Sequence, residues 1–234
     1  MPNMTEHTHR KFDADLEAIR TGVLHMGGLV ETQVAHAMEG LKNSDLTLLD
    51  KVIESDHQIN LLEVELAESC NHIIAKRQPA AVDLRLVLTV IKSITDLERI
   101  GDEAKKIAKA ARRLHKGDTP FTPRIELGYS VDLVLEMLRN ALNNFARADV
   151  SNAPSIRAQD EEVDDIFKGI MRQLITFMME DPRMISNSLE VLFIAKSIER
   201  IGDHAKNLSE HVVFLVQGRD VRYPKSTHKN QTDT

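Results

Sequence analysis

An eight-residue segment that occurs twice constrains the fold of this 234-residue chain more than any other feature. Residues 98–105 read ERIGDEAK and residues 199–206 read ERIGDHAK, so the copies differ at one position. Upstream, Asp45 and Asp56 match Asp149 and Asp160 at a slightly different separation, as expected where a loop has gained or lost residues. The sequence is therefore interpreted as two copies of one structural unit.

Each copy contains three segments with the apolar spacing of an α-helix. In the first segment, apolar residues recur at steps of three and four from Phe12 to Leu41, which places them on one helix face. Asp45 is a suitable N-cap and Pro154 a suitable first-turn residue. The predicted helices are 12–41, 46–78, 82–114, 124–147, 154–180 and 185–217. We predict an all-α fold in which six long helices form two tandem three-helix bundles.

The same pattern predicts the domain boundaries. Residues 1–116 form the first repeat, 117–123 a linker, 124–217 the second repeat, and 218–234 a polar tail. The tail contains Pro224 and has no apolar period, so we expect a flexible extension. A basic docking arm is the alternative interpretation of the tail.

Composition excludes several classes of protein. A net charge of -6 disfavours nucleic acid as the main partner, and an aromatic content of 4% without Trp disfavours base stacking. The single cysteine, Cys70, excludes an intrachain disulfide and a multi-cysteine zinc site, and it fits the apolar face of the second helix. We also expect no signal peptide and no membrane span, because no apolar run approaches about 20 residues.

The repeated segment places two carboxylates beside the buried face of a helix in each half. Glu98 and Asp102 are four residues apart, and Glu199 and Asp203 repeat this arrangement. Each pair therefore lies on the flank of its helix, next to a glycine on the apolar face. A glycine inside a helix lowers its propensity by about 1 kcal/mol, so we expect a neighbouring helix to approach closely there.

The preceding helix in each half offers further oxygen ligands. Asp56 and Asn60 flank the apolar face of the second helix, and Asp160 and Asp164 occupy the matching positions of the fifth. Converging carboxylates repel one another unless their pKa values rise or a cation binds. Such a ligand set suits Mg²⁺, Mn²⁺ or iron better than structural zinc. The alternative is a ladder of ion pairs, with Asp102 paired to Lys105 or Lys106 and Asp203 to Lys206.

The doubled ERIGD motif resembles the PhoU family of bacterial phosphate-transport accessory and phosphate-signalling proteins. The resemblance extends from about residue 12 to 217 and includes the segment KRQPAAVDLR at residues 76–85. It implies two pseudo-symmetric three-helix bundles whose acidic motifs bind multinuclear metal clusters. By position, the ligands are Glu98, Asp102, Asp56 and Asn60 in the first half, and Glu199, Asp203, Asp160 and Asp164 in the second.

The resemblance also implies a role. It suggests a cytoplasmic, non-enzymatic adapter that links the ATPase subunit of a phosphate ABC transporter to a sensor histidine kinase. Through the transporter, the adapter would lie at the inner membrane. Such an adapter restrains phosphate uptake and phosphate-starvation signalling, and family members are often homodimers. One position departs from the family pattern: Asn60 replaces an acid, so the first-half site should bind metal less tightly.

Other residues leave alternatives open. Asp83 and Arg85 at the start of the third helix are either ordinary surface residues or a contact surface for a transporter or kinase partner. His204 could join the second acidic site, although a surface position is favoured. Glu54 and His57 form a Glu-x-x-His pattern, but the repeat does not duplicate it, which disfavours a di-iron enzyme. A carboxylate-bridged metal enzyme and a metal-free structural protein are the rival function classes.

Overall fold

The computed structural model describes residues 4–116 and 125–219, with side chains from Arg10 onwards. The predicted linker and all but the first two residues of the predicted tail lie outside these ranges. The described residues form six α-helices and no strand. The helices are α1 (Met4–Asn43), α2 (Leu46–Arg77), α3 (Ala81–Lys116), α4 (Gly128–Arg147), α5 (Ala153–Glu180) and α6 (Ile185–Gln217), with a short 3-10 turn (Pro182–Met184) before α6.

Local chemistry explains where these helices begin and end. Asp45 caps α2 as predicted, because its Oδ1 accepts a hydrogen bond from the Leu48 N–H at 3.0 Å. Gly218 ends α6 in the left-handed conformation, with φ of 68°. The start of α4 was predicted too early. Its first N–H, that of Gly128, donates at 2.7 Å to the Glu126 carboxylate, and residues 125–127 are not helical.

The helices pack as two bundles, α1–α3 and α4–α6, which confirms the predicted fold class. The bundles meet side by side through α3 against α6, the most extensive helix contact, and through α1 against α4. The spacing in α3 predicts a buried face at Val90, Ile94, Leu97, Gly101, Ala104 and Ala108, and that in α6 at Val191, Ala195, Ile198, Gly202, Ala205 and Ser209. All of these residues are buried. Cys70 is also buried in the core, and this burial raises the pKa of its thiol to about 11. None of the helices within the described ranges is both long and apolar enough to cross a membrane.

Of the two glycines of the repeated motif, Gly101 lies where helices approach closely, as predicted, and Gly202 lies at ordinary contact distance from its neighbours. A Cβ atom on Gly101 would lie 3.2 Å from Gln33 Oε1 and 3.2 Å from the Cδ1 of Ile59. A Cβ on Gly202 would lie 3.4 Å from Val134 Cγ1. α2 approaches α3 at Gly101, and the charge of Asp56 on α2 acts on Glu98 beside this glycine. The glycine thus helps to bring the predicted site residues together.

Candidate functional site

The first acidic cluster lies in the groove between α2 and α3 and is formed by Asp56, Asn60, Glu98 and Asp102. Asp56 is almost completely buried, with 2% of its surface exposed. Its Oδ2 lies 2.5 Å from the Nζ of Lys105, which reaches across from α3. The pKa of Lys105 is raised, chiefly by this hydrogen bond and also by the charges of Asp102 and Glu98. The structure therefore brings carboxylates from both helices to one lysine ammonium group.

The pKa of Glu98 shows that bringing these carboxylates together is electrostatically unfavourable. Burial raises the pKa of its carboxyl group, and the charges of Asp102, Glu63 and Asp56 raise it further. Arg99 lowers it in part, from a distance of 3.7 Å between its Nε and Glu98 Oε2. Glu63 was not among the predicted site residues. Its side chain accepts a hydrogen bond from Thr95 at 3.2 Å, so it belongs to the same groove.

Two oxygen atoms of this cluster are buried without a hydrogen-bond donor, the Oδ1 of Asp56 and the Oδ1 of Asn60. A buried acceptor that lacks a donor loses its hydration without replacement, which costs about 1–3 kcal/mol. A hard cation satisfies such oxygens directly. The donor chemistry of the groove therefore fits a metal ion of the kind predicted from the sequence.

The second acidic cluster lies between α5 and α6 and is formed by Asp160, Asp164, Glu199 and Asp203. Lys206 contacts the Oδ2 of Asp160 and lies 3.0 Å from the Oδ1 of Asp203. Burial alone would lower the pKa of Lys206, but these hydrogen bonds raise it overall. Burial raises the pKa of Asp160, with Asp203 and Asp164 adding to the effect against the opposing Lys206.

Glu199 is held differently from its counterpart Glu98. Lys196 on the same helix lies 2.6 Å from both carboxylate oxygens of Glu199. The Lys196 ammonium group also lies 5.2 Å from the centre of the Phe167 ring on α5. Lys196 thus contacts both Glu199 on α6 and the Phe167 ring on α5.

The side chains in both clusters are arranged around lysines. Within the described residues, no three of the acidic, histidine or cysteine side chains are placed so that they could hold one metal ion. The predicted Asp203–Lys206 pair is present, whereas Lys105 pairs with Asp56 instead of Asp102, and Lys106 pairs with Glu103 at 2.8 Å. Metal binding therefore requires the lysine ammonium groups to move away from the carboxylates.

Asp83 and Arg85 line a concave surface at one end of the molecule. They belong to a cavity of about 440 Å³ that also includes Arg20 and the exposed Val82 and Val216. The Nε of Arg85 is buried without a hydrogen-bond partner. The cavity contains residues of α1, α3 and α6 together with Ala148, which follows α4, so both repeats contribute to it.

Sequence reasoning missed a polar cluster between the two repeats, centred on Asp96 of α3. Its carboxylate accepts hydrogen bonds from His204 Nδ1 at 2.8 Å, from Asn207 at 3.3 Å and from His211 Nε2 at 2.7 Å. Burial alone would raise the pKa of Asp96, but the hydrogen bonds and charges of the two histidines lower it overall. The spacing of seven residues between the histidines, two turns on one helix face, was the available signal.

His204 therefore lies at the contact between repeats, which corrects the expectation of a surface position. Arg200 also crosses this contact, with its NH1 3.4 Å from the carboxylate of Glu103. Its counterpart Arg99 stays beside Glu98 in its own repeat. In both copies, the carboxylates of the repeated motif lie in the acidic groove. In the second copy, Arg200 and His204 of the motif also contact the other repeat.

The family model described as PhoU domain matches the chain twice, at residues 23–111 and 131–212. These two matches fit the tandem repeat seen in the fold. A Pseudomonas putida protein named phosphate-specific transport system accessory protein PhoU homolog is 47% identical over 222 residues, covering 94% of this chain and 86% of that protein. The Escherichia coli (strain K12) accessory protein PhoU is 44% identical over 223 residues, covering 94% and 91%.

Solved structures agree with the sequence comparison. The crystal structure of PhoU from Pseudomonas aeruginosa superposes with a TM-score of 0.85 at 46% identity, covering 89% of this chain and 100% of that one. The phosphate transport system regulatory protein PhoU from Streptococcus pneumoniae gives a TM-score of 0.83 at 30% identity, covering 90% and 99%. With the family model matched over both repeats, relatives up to 47% identical over 94% of the chain and the same fold in solved PhoU structures, this protein belongs to the PhoU family.

Proposed function

We propose that this protein is an accessory protein of a phosphate ABC transport system and acts as a non-enzymatic adapter. It links the ATPase subunit of the transporter to a sensor histidine kinase and restrains phosphate uptake and phosphate-starvation signalling. The observation that carries this proposal is the similarity to proteins named as phosphate-specific transport system accessory proteins, which extends over 94% of the chain. The adapter works in the cytoplasm, at the inner membrane when bound to its transporter, and as a homodimer.

The two acidic grooves hold hard metal ions in this proposal. Carboxylate and amide oxygens from α2 and α3, and carboxylates from α5 and α6, form the ligand sets, which suit iron, Mn²⁺ or Mg²⁺. The buried oxygens without donors at Asp56 and Asn60 support this assignment in the first groove. Bound metal supplies positive charge that replaces the lysine ammonium groups in neutralising the carboxylates.

The cavity that contains Asp83 and Arg85 is the docking surface for a partner protein. It is concave and combines charged side chains with exposed valines, which gives a partner both a polar and an apolar contact. The Arg85 guanidinium group lines the cavity and can donate to a carboxylate of that protein.

A co-purification experiment tests the adapter role. The tagged protein is used to capture the transporter ATPase subunit and the cytoplasmic part of the sensor kinase, with and without a metal chelator. We expect both partners to be captured, with less recovered in chelator. Capture that is insensitive to chelator would separate metal from docking, and capture of neither partner by the folded protein would contradict the adapter role.

The docking surface is tested in the same experiment with Arg85→Gln. We expect recovery of at least one partner to fall at least fivefold. Arg139→Gln is the matched control, because Arg139 is a surface arginine paired with Glu31 at 2.6 Å away from this cavity. Equal recovery with both variants would rule out the Arg85 surface.

A further inference from the structure

The end of the molecule where α5 finishes and α6 starts carries large apolar side chains that are exposed. Three lie on α5 and three on α6, each set at steps of four residues that follow one helix face: Met171, Ile175, Met179, Ile185, Leu189 and Phe193. The two helices pack against each other, and the Phe167 ring, one turn before the α5 row, lies 5.2 Å from Lys196, about one turn after the α6 row. The two rows therefore run side by side, and we call these six residues the apolar surface.

The first repeat does not share the apolar surface. Its matching positions carry two leucines and otherwise small, polar or charged side chains: Ala67, Asn71, Ala75, Leu84, Leu88 and Lys92. Since both repeats have the same helix packing, the fold itself does not require large apolar side chains at these positions. Exposed apolar patches mark interaction sites, and Met and Phe, which supply three of the six side chains, are enriched in protein interfaces.

Basic side chains of α3 lie beside the apolar surface. Arg113 pairs with Glu190 on α6, with its Nε 2.7 Å from Glu190 Oε1, so the end of α3 lies next to the start of α6. The last turns of α3 form a concave surface of about 380 Å³ that is lined by Lys109, Arg112, Arg113 and Lys116. Lys109 and Lys116 are exposed and form no ion pair with any residue that the structure describes.

The charges around the apolar surface therefore favour an acidic partner. Arg172 on α5 adds an exposed cation on the other side, and Glu180 at the end of α5 is an exposed acid. The remaining acids at this end are neutralised, because Glu190 pairs with Arg113 and Asp181 with Arg183. This end is locally positive although the chain has a net charge of -6.

The apolar surface and the cavity that contains Arg85 lie at opposite ends of the molecule. Near the end of α3, Arg113 meets the start of α6 at Glu190. Near the start of α3, Arg85 meets the end of α6, since a Cβ on Gly218 would lie 3.3 Å from its NH1. The two helices are thus antiparallel, and the two ends are separated by about 40 Å along α3. A protein that links two partners needs two separate docking sites, and these ends offer them.

We propose that the apolar surface is a second docking site of the adapter and binds an amphipathic helix of a partner protein that has acidic residues beside its apolar face. This inference rests on the adapter function proposed above. Neighbouring helices lie 8–10 Å apart in proteins, so the two apolar rows border a shallow groove that the apolar face of a third helix can fill. The acidic residues of that helix pair with Lys109 and Lys116.

A helix fits this face better than an anionic membrane surface does. Asp102 lies on the same face of α3 as Lys109, two turns away, and Asp203 lies on the same face of α6 as Leu189, four turns away. A flat anionic bilayer would approach these carboxylates together with the lysines. A single helix is narrow enough to reach the lysines without meeting them.

Co-purification of the tagged full-length protein with the transporter ATPase subunit and with the cytoplasmic part of the sensor kinase tests the proposal. Ile175→Ser with Phe193→Ser should lower recovery of at least one partner about tenfold. Leu61→Ser with Val64→Ser is the matched control, because it removes two apolar side chains of α2 that are exposed to similar degrees, and it should leave recovery unchanged. Circular dichroism checks that both variants fold.

A second pair of variants tests the charges. Lys109→Glu with Lys116→Glu should lower recovery of the same partner about threefold, since the acidic flank of its helix then meets like charges. Lys109→Arg with Lys116→Arg keeps the charge and should recover that partner as wild type does. Equal recovery with the glutamate and arginine variants would show that the partner's helix is not held through acidic residues, and would overturn the proposal.

The remaining outcomes separate this proposal from the adapter role and from other occupants. Recovery that is unchanged in Ile175→Ser with Phe193→Ser would overturn the docking site while the adapter role stands. Capture of neither partner by wild type would contradict the adapter role and this inference with it. If that variant loses binding to phosphatidylglycerol vesicles, or turns from dimer to monomer in analytical ultracentrifugation, the apolar surface belongs to a membrane contact or to a second copy of the chain, and the proposal is wrong.

Discussion

The two repeats share one helical frame but use matching positions differently. In the first repeat, Asp45 caps α2 and an amide, Asn60, stands among the groove carboxylates. In the second, the start of α5 has no side-chain cap and Asp164 restores a carboxylate at the position of Asn60. The comparison indicates that the duplicated fold sets where side chains lie, while single substitutions decide which charges and hydrogen-bond partners each position offers.

The contact between the repeats shows the same divergence. Glu103 of α3 matches His204 of α6, and Asp96 matches Ser197. These unlike residues form complementary pairs across the interface, because Glu103 meets Arg200 and Asp96 meets His204. The contact is therefore asymmetric in sequence: His204 reaches Asp96, whereas the first repeat has Glu103 at the position of His204 and the second has Ser197 at the position of Asp96.

Metal content is the measurement with the largest expected difference between the repeats. Glu199→Ala with Asp203→Ala should remove most of the bound metal, measured by elemental analysis of the purified protein. Glu98→Ala with Asp102→Ala should remove less, because the neutral Asn60 already makes the first groove a weaker ligand set. Unchanged metal content in the first double variant would refute the site, and a larger loss in the second would reverse the proposed ranking.

Replacing Asp96 should have the largest effect on stability. Asp96→Ala leaves two imidazole N–H groups without their acceptor, and His211 is buried, so we expect unfolding free energy to fall by about 3 kcal/mol. Ser197→Ala at the matching position is the control and should cost less than about 1 kcal/mol. Chemical denaturation measures both, and equal values would show that the Asp96 cluster does not stabilise the contact between repeats.

The pH dependence of the stability difference between wild type and Asp96→Ala gives a further check. The pKa of Asp96 is lowered in the folded protein, so its ionised form is favoured by folding. Its contribution is complete above the unfolded pKa of about 3.9 and is lost as the pH falls through the lower folded pKa. The gap between wild type and Asp96→Ala should therefore be constant near neutral pH and shrink below about pH 4.

Features that depend on local spacing could be predicted from the sequence. The six helices, the Asp45 cap and the close approach at Gly101 follow from apolar periodicity and the conformational preferences of single residues. The repeat predicted the two-bundle architecture, because matching segments adopt matching structures. The sequence analysis placed the acidic residues of α2 beside those of α3 by assuming that the two helices are antiparallel neighbours. On that assumption, the two sets of acidic residues lie at the same height along the helix pair.

Features that depend on how the two bundles dock could not be predicted. Asp96 and His211 lie 115 residues apart, and no local pattern shows that α3 and α6 bring them within hydrogen-bond distance. The same applies to Lys105, one of two lysines that the ion-pair alternative offered to Asp102, which instead reaches Asp56 on α2. A long side chain such as lysine can reach several carboxylates. Which of them it pairs with depends on their burial, and this is known only once the helices have packed.

Replacing the two motif glycines should change stability by smaller amounts. The two variants can be compared directly, because Gly101 and Gly202 occupy matching positions in the two repeats. Gly202→Ala should raise the unfolding free energy by up to about 1 kcal/mol, since helix propensity improves and the new Cβ meets its neighbours at ordinary contact distance. Gly101→Ala should gain less or destabilise, because Gln33 and Ile59 must shift. Thermal and chemical denaturation of both variants test this, and a larger gain at Gly101 would contradict the close approach of α2 to this glycine.

The carboxylates beside those glycines should respond in opposite directions to loss of charge. The pKa of Glu98 is raised by burial and by neighbouring carboxylates, so its ionised form is disfavoured in the folded protein. Glu98→Gln should therefore stabilise the metal-free protein by about 0.5 kcal/mol at neutral pH. The gain should disappear as the pH falls below about 4, because wild-type Glu98 is then protonated in both the folded and unfolded states. Glu199→Gln should instead destabilise slightly at neutral pH, because Glu199 is paired with Lys196. If both variants change stability in the same direction, unequal pairing of the two glutamates does not govern the electrostatics of the grooves.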